Sequence, residues 1–248
     1  PKESKTLISL FFHLLNDRFR MEFEGLLASQ ENNRRALDKL PELVSWCAKH
    51  GLYQQALTLL CEQMPEYICS HIFLQPTESG FKYLETRKEN KGKPWVYPLF
   101  HFHFCRMALL QQKLHYTADL RLNRNRGNED GNILFGVASA EEVHDYVNEA
   151  IDFGQLVIDH KVQRQVEGAA MLYQRVIHYR NQVNHANDTS FGLQSDRILP
   201  LDIAHIEQLL QDVTDYLQEI RPMRPNVPQG VKALPVTMTI PAGTIPVL

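Results

Sequence analysis

The chain contains no run of about 18 or more apolar residues, so no membrane-spanning helix is expected from it. None of its four cysteines, Cys47, Cys61, Cys69 and Cys105, stands in a CxxC pair. That spacing argues against a zinc ribbon and against a disulfide framework. The expectation is buried, reduced thiols in a cytoplasmic protein. The sequence also lacks a glycine-rich phosphate loop, a GxSxG elbow, an HExxH helix and a defensible pair of catalytic carboxylates. Excess positive charge is missing as well. With a net charge of −3, the chain cannot hold nucleic acid by bulk electrostatics, and any such function must rest on a local site.

What is present is helical periodicity. Residues 5–29 repeat leucine and phenylalanine at steps of three and four, from Leu7, Leu10 and Phe11 to Leu26 and Leu27. A second helix is expected from Asp38 to His50, stopped by Gly51, and a third from Gln54 to Ser70. The short link between these two makes an antiparallel hairpin. Residues 75–94, rich in lysine, read as a loop or frayed helix, residues 95–118 as an aromatic helix, and residues 121–132 as a loop. Ser139 followed by Glu142 forms a capping box. Behind it Val143, Tyr146, Val147, Ala150, Ile151, Gly154, Val157 and Ile158 keep helical spacing. A further helix covers Lys161–His185, with the join near Asp159 left as either a break or a continuation. Asp202 caps a last helix carrying Ile203, Ile206, Leu209, Leu210, Val213, Leu217 and Ile220.

After Arg221 the composition changes. Residues 222–248 hold six of the thirteen prolines and no acidic residue, and Val236, Met238 and Ile240 alternate as in a strand. The expectation is a mainly α helical bundle over residues 5–221. Residues 222–248 follow it as a proline-rich extended tail or linker, outside the helical core.

The chemistry-bearing segment is Arg180-Asn181-Gln182-Val183-Asn184-His185, near the end of an amphipathic helix. Cleavage of RNA by its own 2′-hydroxyl needs a proton acceptor for that hydroxyl, a proton donor for the departing 5′-oxygen and a cation for the crowded phosphate. Histidine exchanges protons near neutral pH, which suits His185 to the first two tasks. The permanently charged, planar fork of Arg180 suits the third. Asn181 and Asn184 are placed to orient either the phosphate or the imidazole. Five residues along a helix means a rise of about 7.5 Å and a turn of about 140° beyond one full revolution. One copy is therefore a sparse half-site, and two copies about a two-fold axis would surround a phosphate.

This string resembles the motif of the HEPN ribonucleases, an arginine followed four to six residues later by a histidine, with a polar residue after the arginine. The opening helix from Leu7 to Leu15 and the hairpin around Trp46–Leu57 resemble the helical part of the accessory ribonucleases of type III CRISPR systems. The resemblance extends over residues 5–221. It implies a HEPN-type bundle, a composite site at a homodimer interface with Arg180 and His185 as its catalytic pair, single-stranded RNA as substrate, and a role in prokaryotic antiviral defence. It implies no metal or other cofactor. Family members of that kind join a CARF sensor to the HEPN domain. No βαβ alternation is found here, and the first residue is proline, so the sensor is expected to lie outside this chain. Cyclic oligoadenylate then enters as a partner only through that missing domain.

Other groups have plainer readings. Arg175 and His178 lie just before the motif, and His178 shares a helical face with position 185. They are candidate RNA contacts or ordinary surface and packing residues. Arg121, Arg124 and Arg126 are a basic loop. His101, His103 and Cys105 would share one face of a strand as zinc ligands and would scatter around a helix. Trp46 and the phenylalanines are expected in the core. The competing functional readings are a non-catalytic helical scaffold or adaptor for a protein partner, and a HEPN toxin outside CRISPR.

Overall fold

The computed structural model describes residues 37–85, 90–101, 139–185 and 202–241, with side chains to residue 183 in the third segment. The opening helix at 5–29, the basic loop at 121–132, His103, Cys105 and residues 242–248 lie outside the described residues.

Among the described residues the protein is mainly α. Helix α1 (Leu40–Lys49) and α2 (Tyr53–His71) form the expected hairpin. Their join is a Schellman turn. Leu52 N–H donates to Cys47 O at 2.9 Å and Gly51 N–H to Ala48 O at 3.0 Å, with Gly51 at φ 69°. Strand β1 (Leu74–Pro76), α3 (Glu78–Glu85) and the short α4 (Val96–Leu99) follow. Next come α5 (Ala140–Asp152), β2 (Leu156–Ile158), a 3-10 turn (His160–Val162), α6 (Gln163–His185) and α7 (Ile203–Ile220). Residues 75–85 and 90–94 thus hold more regular structure than their composition implied.

The capping box of α5 is present in both directions. Glu142 N–H donates to Ser139 Oγ at 3.2 Å, and Ser139 N–H donates to Glu142 Oε2 at 2.8 Å. Ser139→Ala should therefore cost about 1 kcal/mol, read as a lower urea midpoint with an unchanged slope.

The end of α5 corrects the sequence reading. Helical spacing carried on through Gly154, Val157 and Ile158, yet the helix stops at Asp152. Gly154 N–H donates to Ile151 O at 2.9 Å, Gln155 N–H donates to Ala150 O at 2.9 Å, and Gly154 adopts φ 63°. This second Schellman turn was hidden because Val157 and Ile158 fall in helical register by coincidence. They belong to β2, which pairs antiparallel with β1, Leu74 opposite Ile158 and Pro76 opposite Leu156. Phe153, expected inside, is 66% exposed at this turn.

Helix α7 starts as expected, with Asp202 accepting from His205 N–H at 2.9 Å. It lies across α1, α2 and α6, while α6 packs on α2, α7 and α5. One core joins them, including Leu57, Leu60, Met64, Val147, Ala169, Val176, Val213 and Leu217. Tyr67 hydroxyl donates to Leu217 O at 3.0 Å within it.

Residues 223–241 contain no helix. They run back over the bundle, turning Val236 and Met238 partly inward, and bury Ile240 completely. Trp95 Nε1–H donates to Pro235 O at 2.9 Å and Trp95 N–H to Met238 O at 3.1 Å. Gln75 holds the same segment from both sides of its amide. Its Nε2 donates to Lys232 O at 3.0 Å, and its Oε1 accepts from Leu234 N–H at 2.9 Å. Among the described residues no helix is long and apolar enough to cross a membrane.

Candidate functional site

Helix α6 carries the motif, and it is the central helix of the described bundle. From residue 165 to 183 none of its positions is exposed. Its inward stripe runs Val166, Ala169, Tyr173, Val176 at steps of three and four, all buried. The next positions on that stripe are Arg180 and Val183. Arg180 thus stands where the pattern would place an apolar residue.

Its environment is that of α2. Tyr173 hydroxyl, about two turns earlier, donates to Cys61 O at 3.5 Å. The Cys61 thiol is pushed up to about 12 by burial, with the Arg180 charge acting against that rise. So protonated a thiol is a poor nucleophile, and Cys61 belongs to the packing.

Arg180 Nη1 donates to Asn181 Oδ1 at 3.3 Å, a long bond between chain neighbours. Its Nε is buried and has no hydrogen-bond partner, and among the described residues no carboxylate pairs with it. A buried, unsatisfied donor costs about 1–3 kcal/mol, more when the group is charged. The guanidinium is therefore held against a local energetic preference, which an incoming anion would relieve.

The other motif positions divide by face. Asn181 is half-buried beside Arg180. Positions 184 and 185 lie on the last turn of α6. With about 100° per residue, position 184 falls about 40° from 180, and position 185 about 140° from it. The helix brings Asn181 to Arg180 and does not align position 185 with them. His178 is 7% exposed, its ring set edge-on to Tyr179 at 5.9 Å, so in this arrangement it is a packed histidine facing the protein. Gln174 is buried on the same helix. Arg175 is half-buried.

Comparison with protein-family models, with curated proteins and with solved structures gives no match. The chemistry of this site has to be argued from its own residues.

Two polar clusters escaped the sequence reading. The first joins α5 to α6. His144 Nδ1 meets Glu167 Oε1 at 2.8 Å, Asn148 Nδ2 donates to His144 Nε2 at 3.1 Å, and Gln163 Nε2 donates to Asn148 Oδ1 at 2.8 Å. Both ring nitrogens are engaged, so the cluster is a clasp between helices. The i,i+4 pairs 144/148 and 163/167 were its only sequence signal.

The second cluster joins α1, α2 and α7. Arg221 Nη2 donates to Glu42 Oε2 at 2.6 Å and to Asp38 O at 2.8 Å. Burial acts to raise the Glu42 carboxyl, but the hydrogen bond and charge of Arg221 outweigh it and hold the group below its ordinary value. Nearby, buried His71 bonds the Tyr67 carbonyl through Nδ1 at 2.8 Å and stacks on the Tyr67 ring. Nothing in the sequence marks this cluster, because its members are about 180 residues apart in places.

Among the described residues no group of three or more His, Cys, Asp or Glu side chains is placed to hold a metal ion. Of the zinc candidates, His101 is exposed beyond α4, and the other two lie outside the described residues.

Proposed function

We propose that this chain is a HEPN-type endoribonuclease domain that cuts single-stranded RNA without a metal, at a composite site made by two copies. Arg180 stabilises charge on the phosphate, His185 moves the proton, and Asn181 and Asn184 orient the groups. The observation that carries this reading is Arg180 itself. It is a guanidinium on the inward stripe of the central helix, with a buried Nε and no counter-ion among the described residues, five residues ahead of a histidine. A half-buried arginine with no carboxylate among the described residues is a poor structural choice and a good phosphate receptor.

The reaction needs only groups that the motif carries. The 2′-hydroxyl attacks the adjacent phosphorus while its proton passes to imidazole. The P–O5′ bond breaks, and the leaving oxygen takes a proton from a second imidazole. The products end in a 2′,3′-cyclic phosphate and a 5′-hydroxyl. The 140° between Arg180 and position 185 supports a dimer, since one helix cannot bring both to one phosphate. The resemblance stated above supports prokaryotic, CRISPR-type antiviral defence as the setting, the cytoplasm as the location, and cyclic oligoadenylate as a signal acting only through a sensor domain outside this chain.

Labelled single-stranded RNA incubated with the protein in excess EDTA should be cut, and light scattering at micromolar concentration should give the mass of a dimer. RNA left intact with and without divalent cations would favour the scaffold reading. Full cleavage by a protein that scatters as a monomer would remove the composite site.

A further inference from the structure

Five residues before Arg180, Arg175 occupies α6 with even less support. It is half-buried, its Nε is shielded from solvent, and it makes no hydrogen bond or ion pair with any described residue. The charge closest in influence is felt at Tyr179. Burial pushes that phenol up, Asp202 pushes it further, and Arg175 acts against both. The Asp202 carboxylate is already committed to His205, through the backbone N–H at 2.9 Å and through the ring. No ion pair joins it to Arg175. A half-buried cation with no partner among the described residues is open to an anion, and a planar fork of N–H donors is matched by two oxygens of one phosphate.

Helix phase says which part of the site this arginine belongs to. At about 100° per residue, position 175 lies about 20° from 182 and about 80° from 185, whereas 180 lies about 140° from 185. Of Arg175 and Arg180, the one nearer the side of α6 that carries position 185 is therefore Arg175. Ten residues give about 15 Å of rise between 175 and 185, too far for one phosphate to be shared.

We propose that Arg175 binds a phosphate of the RNA backbone flanking the one that is cut, and so sets the path of the strand along α6. This rests on the ribonuclease reading. Arg175 is then a binding residue, and its work is to hold substrate.

The test is binding of a fluorescent single-stranded RNA to the full chain carrying His185→Ala, which slows cutting about a hundredfold or more. Into it go Arg175→Met, which keeps the apolar stem and removes the charge, and Arg175→Lys, which keeps the charge. Arg175→Met should weaken binding about tenfold or more, the effect of losing a charge-assisted hydrogen bond. It should also flatten the plot of log affinity against log salt by about 0.7, the value for one phosphate contact on a single strand. Arg175→Lys should restore most of that slope. Unchanged affinity and slope in Arg175→Met, with the wild-type chain still cutting RNA, would overturn this proposal and leave the ribonuclease reading standing. A weaker affinity with an unchanged slope would show a packing role and overturn it too. A wild-type chain that neither binds nor cuts RNA would remove both.

Discussion

On the proposed ribonuclease reading, replacing His185 with alanine should slow RNA cleavage by about a hundredfold or more, the usual effect of losing a general acid or base. Arg180→Ala should do the same by a different route, because it removes the cation that meets charge developing on the phosphate. The two losses are distinguishable. Arg180→Lys keeps a positive charge without the fork, so it should recover part of the rate, whereas no neutral substitute for His185 should. An RNA with a 2′-deoxy nucleotide at the cleavage position should resist the wild-type protein, since the attacking oxygen is gone. Helical circular dichroism should persist in both alanine variants. Arg180 contributes one long hydrogen bond to its chain neighbour and leaves a buried donor unsatisfied, so its removal takes away little that stabilises the fold. Folded variants that both cut at the wild-type rate would sink the catalytic assignment.

The largest stability effect is expected at Trp95. Its side chain is 1% exposed, and it is the post against which residues 235–240 close. Its indole N–H and its backbone N–H each hold a carbonyl of that segment. Two further bonds, Gly92 N–H to Ile240 O and Ile240 N–H to Lys93 O, each 2.9 Å, finish the closure and seat Ile240 in the core. Trp95→Ala empties a large cavity and should cost about 3–5 kcal/mol. In a chain of this size that is a drop of roughly 6–20 °C in melting temperature. Trp95→Phe keeps most of the packing and loses one hydrogen bond, so it should cost about 1–2 kcal/mol. Limited proteolysis should cut residues 223–241 faster in Trp95→Ala than in the wild type. An unchanged melting temperature in Trp95→Ala would mean that this closure contributes nothing to the fold.

Much of the helical architecture was legible in the sequence, because it is written in local chemistry. Ser139 with Glu142, Asp202 ahead of an apolar stripe, and Gly51 after Lys49 each satisfy orphaned backbone groups within a few residues of themselves. Such signals need no knowledge of the rest of the chain. The strands were not legible. β1 is three residues long and ends in proline, and β2 imitates helical spacing. Each exists because the other is there to accept its hydrogen bonds. Helix α3 was left open as a loop or frayed helix because only Gly80 and Leu84 of its eight residues are buried, too few to form a stripe.

The same division runs through the site. Sequence alone determined that a helix ends in Arg180-Asn181-Gln182-Val183-Asn184-His185, and helix geometry then separated the two catalytic candidates by about 140°. Only the tertiary structure decided that α6 is central, that Arg180 continues the stripe of Val166, Ala169, Tyr173 and Val176 toward Cys61, and that His178 is packed against Tyr179. The physical reason is the range of the interactions. Caps and periodicity act within one or two turns, whereas burial and desolvation depend on what α2, α5 and α7 bring to the helix from far along the chain.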